Sequence, residues 1–387
     1  MARPAAWNGR LVTHIFGGPR LAPPAPDTTD EDLLRYAEFV SEGWAWVSTS
    51  RRAAGFGIRR AGEDALAARD AAAALLGTPR LSVLHGQSWG GGAAARAIET
   101  LNDPREDGRR PWDAALLTAG VLAGPTRAYD MRVDLRASFQ AICGTHPRPD
   151  EPQYPVVQGL PKGASMPRET LMQRFNACTG ADLAPDARSP AQARALADLV
   201  AASRIPEVAL PTHLMWATVG FADLTWNFLD GGSAFGNQRV AYRGTSDDAG
   251  LNARVPRYVP EAAAARRLAA EGDPTGAIAV PVITLHGIGD VVVFVEHQAA
   301  YRATLEAAGT AHWLLQIFVD DADHGKLPPA IYPAALGALA DWAETRRRPV
   351  AAEVLGRCEA LRSRYAGDCR IRLDYVPQPW TSRVNPR

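Results

Sequence analysis

The chain has 387 residues, of which 47% are hydrophobic and 22% are charged, a balance typical of a folded globular protein. Its 42 lysines and arginines are matched by 42 aspartates and glutamates, so the formal net charge is zero. This neutrality gives no electrostatic reason to expect nucleic acid or an anionic membrane surface as a partner. Charged residues interrupt every Ala-rich segment, so no stretch reaches the roughly 18 continuous apolar residues of a membrane helix.

Short apolar runs alternate with amphipathic stretches along much of the chain, which is the pattern of parallel strands joined by crossover helices. The predicted strands are Leu11–Phe16, Trp44–Ser50, Leu81–His85, Ala114–Thr118, Val282–Leu285 and Trp313–Val319. The predicted helices are Glu31–Glu42, Glu63–Leu76, Gly90–Leu101, Glu296–Ala308 and Ala330–Thr345. We therefore predict an α/β fold with a mostly parallel sheet and helices on both faces.

The alternation fails between about residues 125 and 275, where Pro, Gly and isolated aromatic residues are more frequent. Because the pattern resumes afterwards, this segment interrupts one domain and does not begin a second one. We predict that residues 125–275 form a cap or lid inserted into an α/β core made of residues 1–124 and 276–387.

The cysteines fall into two local pairs, and two disulfides are expected, with four buried thiols as the alternative. The pairs are Cys143 with Cys178 and Cys358 with Cys369. Disulfides would place the protein in the periplasm or outside the cell, with a leader absent from this numbering, whereas free thiols would fit the cytoplasm. Because no CxxC motif or His pair accompanies the cysteines, we expect no metal.

Gly86-Gln87-Ser88-Trp89-Gly90 follows an apolar strand and leads into a helix, which is the context of a GxSxG nucleophile elbow. The turn is so sharp that a Cβ at either glycine would collide with the neighbouring strand or helix. The motif predicts Ser88 as an exposed nucleophile. The alternative is a glycine-rich turn that only allows the strand and the helix to pack.

A serine hydroxyl needs a neighbouring base, and that base needs a group to orient it. Asp290 and His324 each follow a predicted strand, so both should lie at the same edge of the sheet as Ser88. The chain order Ser, Asp, His is the one found in α/β hydrolases. Three aspartates in the loop of the histidine remain alternatives for the orienting carboxylate: Asp320, Asp321 and Asp323.

Together with Phe16-Gly17-Gly18-Pro19, these motifs resemble the α/β-hydrolase superfamily over roughly residues 8–124 and 278–347. The resemblance implies that Ser88 is the nucleophile, Asp290 the triad acid and His324 the general base. Two departures from the family pattern are visible. Phe16 stands where a histidine is common, and the antiparallel strands that usually precede the first strand have no room.

The same resemblance places the two oxyanion-hole amides at Gly18 and Trp89, with Gly17 beside the substrate. Aromatic residues are dense within residues 216–242, although only 7% of the chain is aromatic. They either line a substrate pocket or form the core of the cap, and the sequence leaves both interpretations open. The candidates for substrate binding in this segment are Trp216, Trp226, Phe228 and Tyr242.

The resemblance implies a serine esterase that cleaves a small-molecule or polymeric carboxylic ester through an acyl-enzyme, without a cofactor. The compact motifs and aromatic cap are similar to those of extracytoplasmic feruloyl esterases or polyester hydrolases. One alternative is a serine peptidase or amidase of the prolyl-oligopeptidase type, although no N-terminal propeller is present. Another is a non-catalytic binding protein on a hydrolase scaffold, in which at least one of the three triad residues would be replaced. No feature of the sequence indicates an oligomeric state.

Overall fold

The computed structural model describes residues 1–22 and 25–387 of the chain. By their contacts, these residues divide into two compact units. The first unit comprises Met1–Gly124 and Glu271–Gln378, and the second comprises Pro125–Ala270 and Pro379–Arg387.

The first unit contains a six-stranded sheet in which every strand pair is parallel. Its strands, numbered β1 to β6, are Arg10–Ile15, Ala45–Ser48, Leu81–Gln87, Ala114–Thr118, Val282–Gly287 and Leu314–Val319. Their order across the sheet is β2-β1-β3-β4-β5-β6. The α/β prediction is confirmed, and β4 has the predicted bounds. Because all strands are parallel, β3, β5 and β6 end at one edge of the sheet.

Helices of the first unit follow the strands as predicted, with three differences. The helix predicted to begin at Glu63 begins at Ile58. The predicted helix Glu31–Glu42 is interrupted at Tyr36, whose fully buried ring packs edge-on against His85 with centroids 4.6 Å apart. The last helix was not predicted. The helices are Asp30–Arg35, Ala37–Ser41, Ile58–Leu76, Trp89–Thr100, Glu296–Ala307, Ile331–Thr345 and Ala351–Leu361.

The second unit is helical, and its described residues contain no strand. Its helices are Pro125–Ala128, Asp130–Cys143, Arg168–Thr179, Pro190–Ser203, Leu210–Met215, Phe221–Asp223, Asp248–Arg254 and Ala262–Gly272, the last of which ends in the first unit. Two π-helical segments, Trp216–Gly220 and Leu224–Phe228, continue the run that begins at Leu210. Among the described residues, no helix is both long and apolar enough to span a bilayer.

The last nine residues differ from the predicted division, which assigned residues 276–387 to the core. Pro379–Arg387 groups with the second unit instead. Buried Asn385 donates hydrogen bonds to Asp134 Oδ2 at 2.9 Å and to the carbonyl oxygen of Ala202 at 2.8 Å. Asp134 is fully buried, so these bonds and Arg387 satisfy a carboxylate that would otherwise be costly to desolvate.

Both predicted disulfides are present, one in each unit. Cys143–Cys178 joins the ends of two helices in the second unit. In the first unit, Cys358–Cys369 anchors a segment whose Ile371 forms an antiparallel bridge to Val319 of β6. Since β6 is an edge strand, this bridge covers part of an otherwise unpaired row of backbone groups.

The helix Trp89–Thr100 crosses the end of β1 at very short range. A Cβ added to Gly90 would lie 2.2 Å from the Ile15 carbonyl oxygen, and one added to Gly86 would lie 2.3 Å from the Gly90 carbonyl oxygen. The sharp turn therefore depends on glycine on both sides of Ser88, as the sequence predicted.

Gly90→Ala should lower the free energy of unfolding by more than about 2 kcal/mol, since the clash is with backbone that cannot move aside. Gly356→Ala is the matched control, because that glycine is exposed within a helix and an added Cβ would meet nothing within 4 Å. We expect it to stabilise by about 1 kcal/mol. Urea unfolding of both variants checks the pair, and equal effects would contradict the packing described.

Candidate active site

Ser88 lies in the turn between β3 and the helix that follows it. Its backbone has φ 58° and ψ −125°, a conformation that costs a non-glycine residue energy and that clusters at functional sites. The turn is held by backbone hydrogen bonds, since Ser88 N–H donates to Thr118 O at 2.9 Å and Ser88 O accepts from Gly91 N–H at 2.9 Å. The half-buried side chain therefore starts from a fixed backbone position at the strand end.

Three predicted side chains from distant parts of the chain form one hydrogen-bonded series. Ser88 Oγ lies 2.8 Å from His324 Nε2, and His324 Nδ1 lies 2.7 Å from Asp290 Oδ2. The Asp290 carboxylate can accept only, so Nδ1 carries the proton and Nε2 of the neutral ring is free to accept the serine proton. This is the arrangement in which a histidine can act as a base toward a serine.

The three aspartates in the histidine loop make other contacts. Asp323 Oδ1 accepts the N–H of Gly325 at 2.6 Å, and Asp321 pairs with Arg370 at 2.6 Å. Asp320 is exposed and lies 3.9 Å from Arg372. Asp290 is thus the carboxylate that the structure brings to the His324 ring.

Asp290 is held by the turn that carries it. Its Oδ1 accepts the N–H groups of Val292 at 2.8 Å and Val293 at 3.0 Å, which leaves Oδ2 for His324. Burial alone would raise the pKa of the Asp290 carboxyl, but the hydrogen bond from His324, the electrostatic interactions with the His324 and His286 rings and the hydrogen bond from the Val293 N–H together outweigh it, so the pKa lies below its ordinary value. The carboxylate is therefore ionised at neutral pH.

His286 lies in β5, just before the turn that carries Asp290, and is fully buried. Its Nε2–H donates to Val293 O at 2.7 Å, and its Nδ1 accepts from Gln298 Nε2 at 2.8 Å. Burial lowers the pKa of His286, so the ring is a neutral support.

Gln87 is a site residue that the sequence did not single out. Its Nε2 donates to the carbonyl oxygen of His324 at 3.0 Å, so the residue before the serine also fixes the backbone of the histidine. Gln87 is buried, and a Cβ added to Gly17 would lie 2.4 Å from its Oε1. Gln87 occupies the first variable position of the GxSxG motif, and the motif does not predict which residue stands there or what it contacts.

The predicted oxyanion-hole segment lies next to the serine. A Cβ on Gly17 would lie 3.2 Å from Ser88 Cβ, and Gly18 adopts φ +70° at the turn after β1. Trp89 is the first residue of its helix, where an N–H has no acceptor within the helix and the helix dipole is positive. The backbone around Ser88 thus offers N–H groups suited to a developing negative charge.

The aromatic residues predicted to bind substrate lie in the second unit, where they have different environments. Tyr242 is fully buried in that unit's own core and donates its hydroxyl to Asp134 at 3.0 Å, so the core interpretation holds for it and the substrate-binding prediction was wrong. Trp216, Trp226 and Phe228 are half-buried. Trp226 Nε1 donates to Leu160 O at 2.7 Å, and the Arg267 guanidinium lies over the Phe228 ring.

Within residues 1–22 and 25–387, no group of three or more His, Cys, Asp or Glu side chains has the arrangement of a metal site.

The sheet topology and the chain order of the three site residues identify the fold. Parallel strands run in the order β2-β1-β3-β4-β5-β6, the serine turn follows β3, and the Asp and His loops follow β5 and β6. The chain has the α/β-hydrolase fold. Before β1, the described residues form no further strand of this sheet, and Ala2 makes an isolated antiparallel bridge to Trp46 of β2.

Comparisons with known proteins give structural likeness only. No family model and no curated protein matches the sequence. An esterase from Aspergillus oryzae is 15% identical, with 89% of this chain and 76% of that chain covered and a TM-score of 0.45. Candida antarctica lipase A in its closed state is 16% identical, with 94% and 80% covered and a TM-score of 0.43. A rice cell wall degrading esterase from Xanthomonas oryzae is 13% identical, with 94% and 82% covered and a TM-score of 0.41.

Asp290→Asn should change how stability depends on pH. The folded-state pKa of Asp290 is lowered relative to about 3.9 in the unfolded chain, so ionised Asp290 contributes stability that is complete above about pH 4. That contribution is lost as the pH falls through the folded pKa. Urea unfolding at a series of pH values should show the gap between wild type and Asp290→Asn shrinking under acid.

The control for this experiment is Asp103→Asn, at an exposed aspartate. Its difference from wild type should stay constant over the same pH range. A constant gap for Asp290→Asn as well would show that the carboxylate is not held by His324 as described.

Proposed function

We propose that this protein is a serine hydrolase that cleaves carboxylic esters through an acyl-enzyme formed on Ser88. The observation that carries the proposal is the hydrogen-bonded series from Ser88 Oγ through the His324 ring to buried Asp290. All three positions of the triad are occupied by groups that can perform their roles, which argues against a non-catalytic binding protein on this scaffold.

In the acylation step, Ser88 Oγ bonds to the ester carbonyl carbon while its proton passes to His324 Nε2. The carbonyl oxygen becomes an oxyanion that the N–H groups of Gly18 and Trp89 stabilise, each contributing about 3 kcal/mol to lowering the barrier. Collapse of this intermediate breaks the ester carbon–oxygen bond. The departing alkoxide takes the proton from His324 and leaves as the alcohol.

Deacylation repeats the sequence with water. His324 removes a proton from a water molecule as its oxygen bonds to the acyl carbon, and the second oxyanion uses the same two N–H groups. Breaking the bond to Ser88 Oγ returns the proton to the serine and releases the carboxylic acid. Asp290 remains ionised throughout and stabilises the imidazolium that forms twice per cycle.

The substrate is proposed as a small-molecule or polymeric ester, with Gly17 beside the reacting carbonyl. Trp216, Trp226 and Phe228 are the remaining candidates for contacts with its apolar part. Their half-buried rings lie on or beside the two π-helical segments, an irregular helix form that is frequent at functional sites. The two π-helical segments are separated only by Phe221–Asp223, so all three rings belong to one continuous helical stretch.

A fluorophosphonate probe tests the nucleophile directly. We expect the wild-type protein to be labelled at Ser88, since attack by Oγ displaces fluoride and forms a stable phosphonyl-serine. Ser88→Ala should lose labelling and lose at least about 1,000-fold in ester turnover. Ser82→Ala, at a buried serine on the same strand, is the control and should retain both. Labelling of Ser88→Ala equal to that of wild type would refute the assignment.

A substrate panel separates ester from amide hydrolysis. The proposal expects p-nitrophenyl esters of graded acyl length to be cleaved by wild type and not by Ser88→Ala, with aminoacyl-naphthylamides left intact. The reverse preference would indicate a serine peptidase or amidase of the prolyl-oligopeptidase type, using the same three side chains.

The two disulfides support a periplasmic or secreted location, because such bonds persist in oxidising compartments. Cys358–Cys369 also bears on the proposed active site. It anchors Arg370, whose carbonyl accepts the N–H of Asp320 at 2.8 Å and whose guanidinium pairs with Asp321, at the start of the loop that carries His324. This disulfide therefore supports the proposed base as well as the fold.

Replacing Cys358 and Cys369 with serine should cost about 3 kcal/mol of stability for a loop of this length and should lower kcat because the His324 loop loses its anchor. The matched variant replaces Cys143 and Cys178, which should cost stability with kcat retained. Urea unfolding and ester kinetics below the unfolding transition measure the two effects. Equal kcat losses in both double variants would contradict a local role for Cys358–Cys369, and free thiols in the purified native protein would contradict the location.

A further inference from the structure

Arg51 occupies an unusual place for a charged residue, just after β2. Arg51 is only 6% exposed, and its backbone has φ 65°, in the left-handed region. Among the described residues, no carboxylate oxygen lies within 4 Å of its guanidinium, whereas the next residue, Arg52, pairs with Asp64 at 3.1 Å. Burying an unpaired charge and straining the backbone both cost stability, so these features call for a function.

The Arg51 guanidinium is held by the segment proposed to supply the oxyanion hole. Its Nη2 donates to the Phe16 carbonyl oxygen at 2.6 Å, and its Nη1 donates to the Gly18 carbonyl oxygen at 2.9 Å. The guanidinium carbon lies 3.7 Å from the centroid of the Phe16 ring and 4.5 Å from that of Trp89. One side chain thus contacts both residues whose N–H groups are proposed as donors, Gly18 and Trp89.

The two carbonyl contacts bracket the peptide that carries the Gly18 N–H. The Phe16 carbonyl belongs to the peptide before it, and the Gly18 carbonyl belongs to the peptide after it. Because the planar guanidinium of Arg51 holds the peptides on both sides, the Gly17–Gly18 peptide has little freedom to rotate its N–H. The contact with the Trp89 ring also joins the Arg51 guanidinium to the helix whose Trp89 N–H is the second proposed donor.

We propose that Arg51 is a positioning residue that preorganises the oxyanion hole, holding the Gly18 and Trp89 amides in the geometry that the transition state needs. The inference rests on the proposed function. Preorganised donors matter most where charge develops during the reaction, so Arg51 should influence kcat and not substrate binding.

The geometry is specific to arginine. A lysine would keep the charge but offers a point-like ammonium that cannot hold two carbonyls in a fixed plane and stack on two rings at once. Burial lowers the pKa of Arg51 to about 9, so the guanidinium remains charged at neutral pH and can donate to both carbonyls.

The test compares Arg51→Lys and Arg51→Met with Arg52→Met, whose wild-type side chain is 57% exposed and makes ion pairs outside the site. We expect kcat for a p-nitrophenyl ester to fall about 10-fold in Arg51→Lys and about 100-fold in Arg51→Met, with KM within about twofold, as for weakened oxyanion donors. Arg52→Met should match wild type. An alkylboronic acid, which forms a tetrahedral adduct with the serine, should lose affinity in proportion to kcat/KM.

Added guanidinium at non-denaturing concentration should partly restore kcat in Arg51→Met and leave Arg52→Met unchanged, a rescue that a purely structural role would not give. If Arg51→Met does not fold, Arg51→Lys carries the test. A folded Arg51→Lys with wild-type kcat, or one that loses kcat with unchanged boronate affinity, overturns the proposal. These comparisons presuppose that the wild-type protein is active and is labelled at Ser88 by the fluorophosphonate. A wild type that is not labelled would refute the proposed function, which is a different result from a failure of the Arg51 proposal.

Discussion

The close approach of the helix Trp89–Thr100 to the end of β1 is the constraint on which the site depends. A side chain at Gly90 would run into the carbonyl oxygens of Ile15 and Phe16 at 2.2 and 2.5 Å. Only glycine allows this contact, and the turn after β1 lies beside Ser88, which adopts a positive φ of 58° at the start of the same helix. One packing contact therefore brings the nucleophile and the candidate oxyanion donors together, before any side chain of the site is considered.

Beneath the serine, a buried polar chain crosses the sheet from β1 to β4. His14 Nε2–H donates to Asp32 at 3.2 Å, and the Nδ1 atoms of His14 and His85 lie 2.9 Å apart. His85 Nε2 contacts the Thr118 hydroxyl at 3.2 Å, and the Thr118 carbonyl receives the Ser88 N–H. Burial lowers the pKa of both histidines, so the rings are neutral, and each nitrogen in the chain has a partner. A satisfied buried network of this kind makes the floor of the site rigid.

The parts of this structure that depend on local pattern could be predicted from sequence, and those that depend on long-range contacts could not. Alternating apolar runs predicted the strands, and β4 has its predicted bounds of Ala114–Thr118 because its whole length is buried. The break in the predicted helix occurs at Tyr36, whose ring packs against distant His85. The local density of aromatic residues could not show that Tyr242 is a core residue. Gln87 contacts a backbone 237 residues away, a relation that no motif spacing encodes.

Phe16 and Arg51 show how a departure from a family pattern is accommodated. At the position where α/β hydrolases often have a histidine, the Phe16 ring packs against the Arg51 guanidinium, which also donates to the carbonyl oxygens of Phe16 and Gly18. A carboxylate partner for Arg51 would reduce the cost of burying its charge, but it would also place a negative charge beside the turn where the oxyanion is proposed to form. Neutral acceptors avoid that conflict, because carbonyl oxygens and aromatic faces stabilise the cation while leaving its net charge in place. Because no carboxylate neutralises Arg51, its positive charge remains available beside a site that must stabilise negative charge.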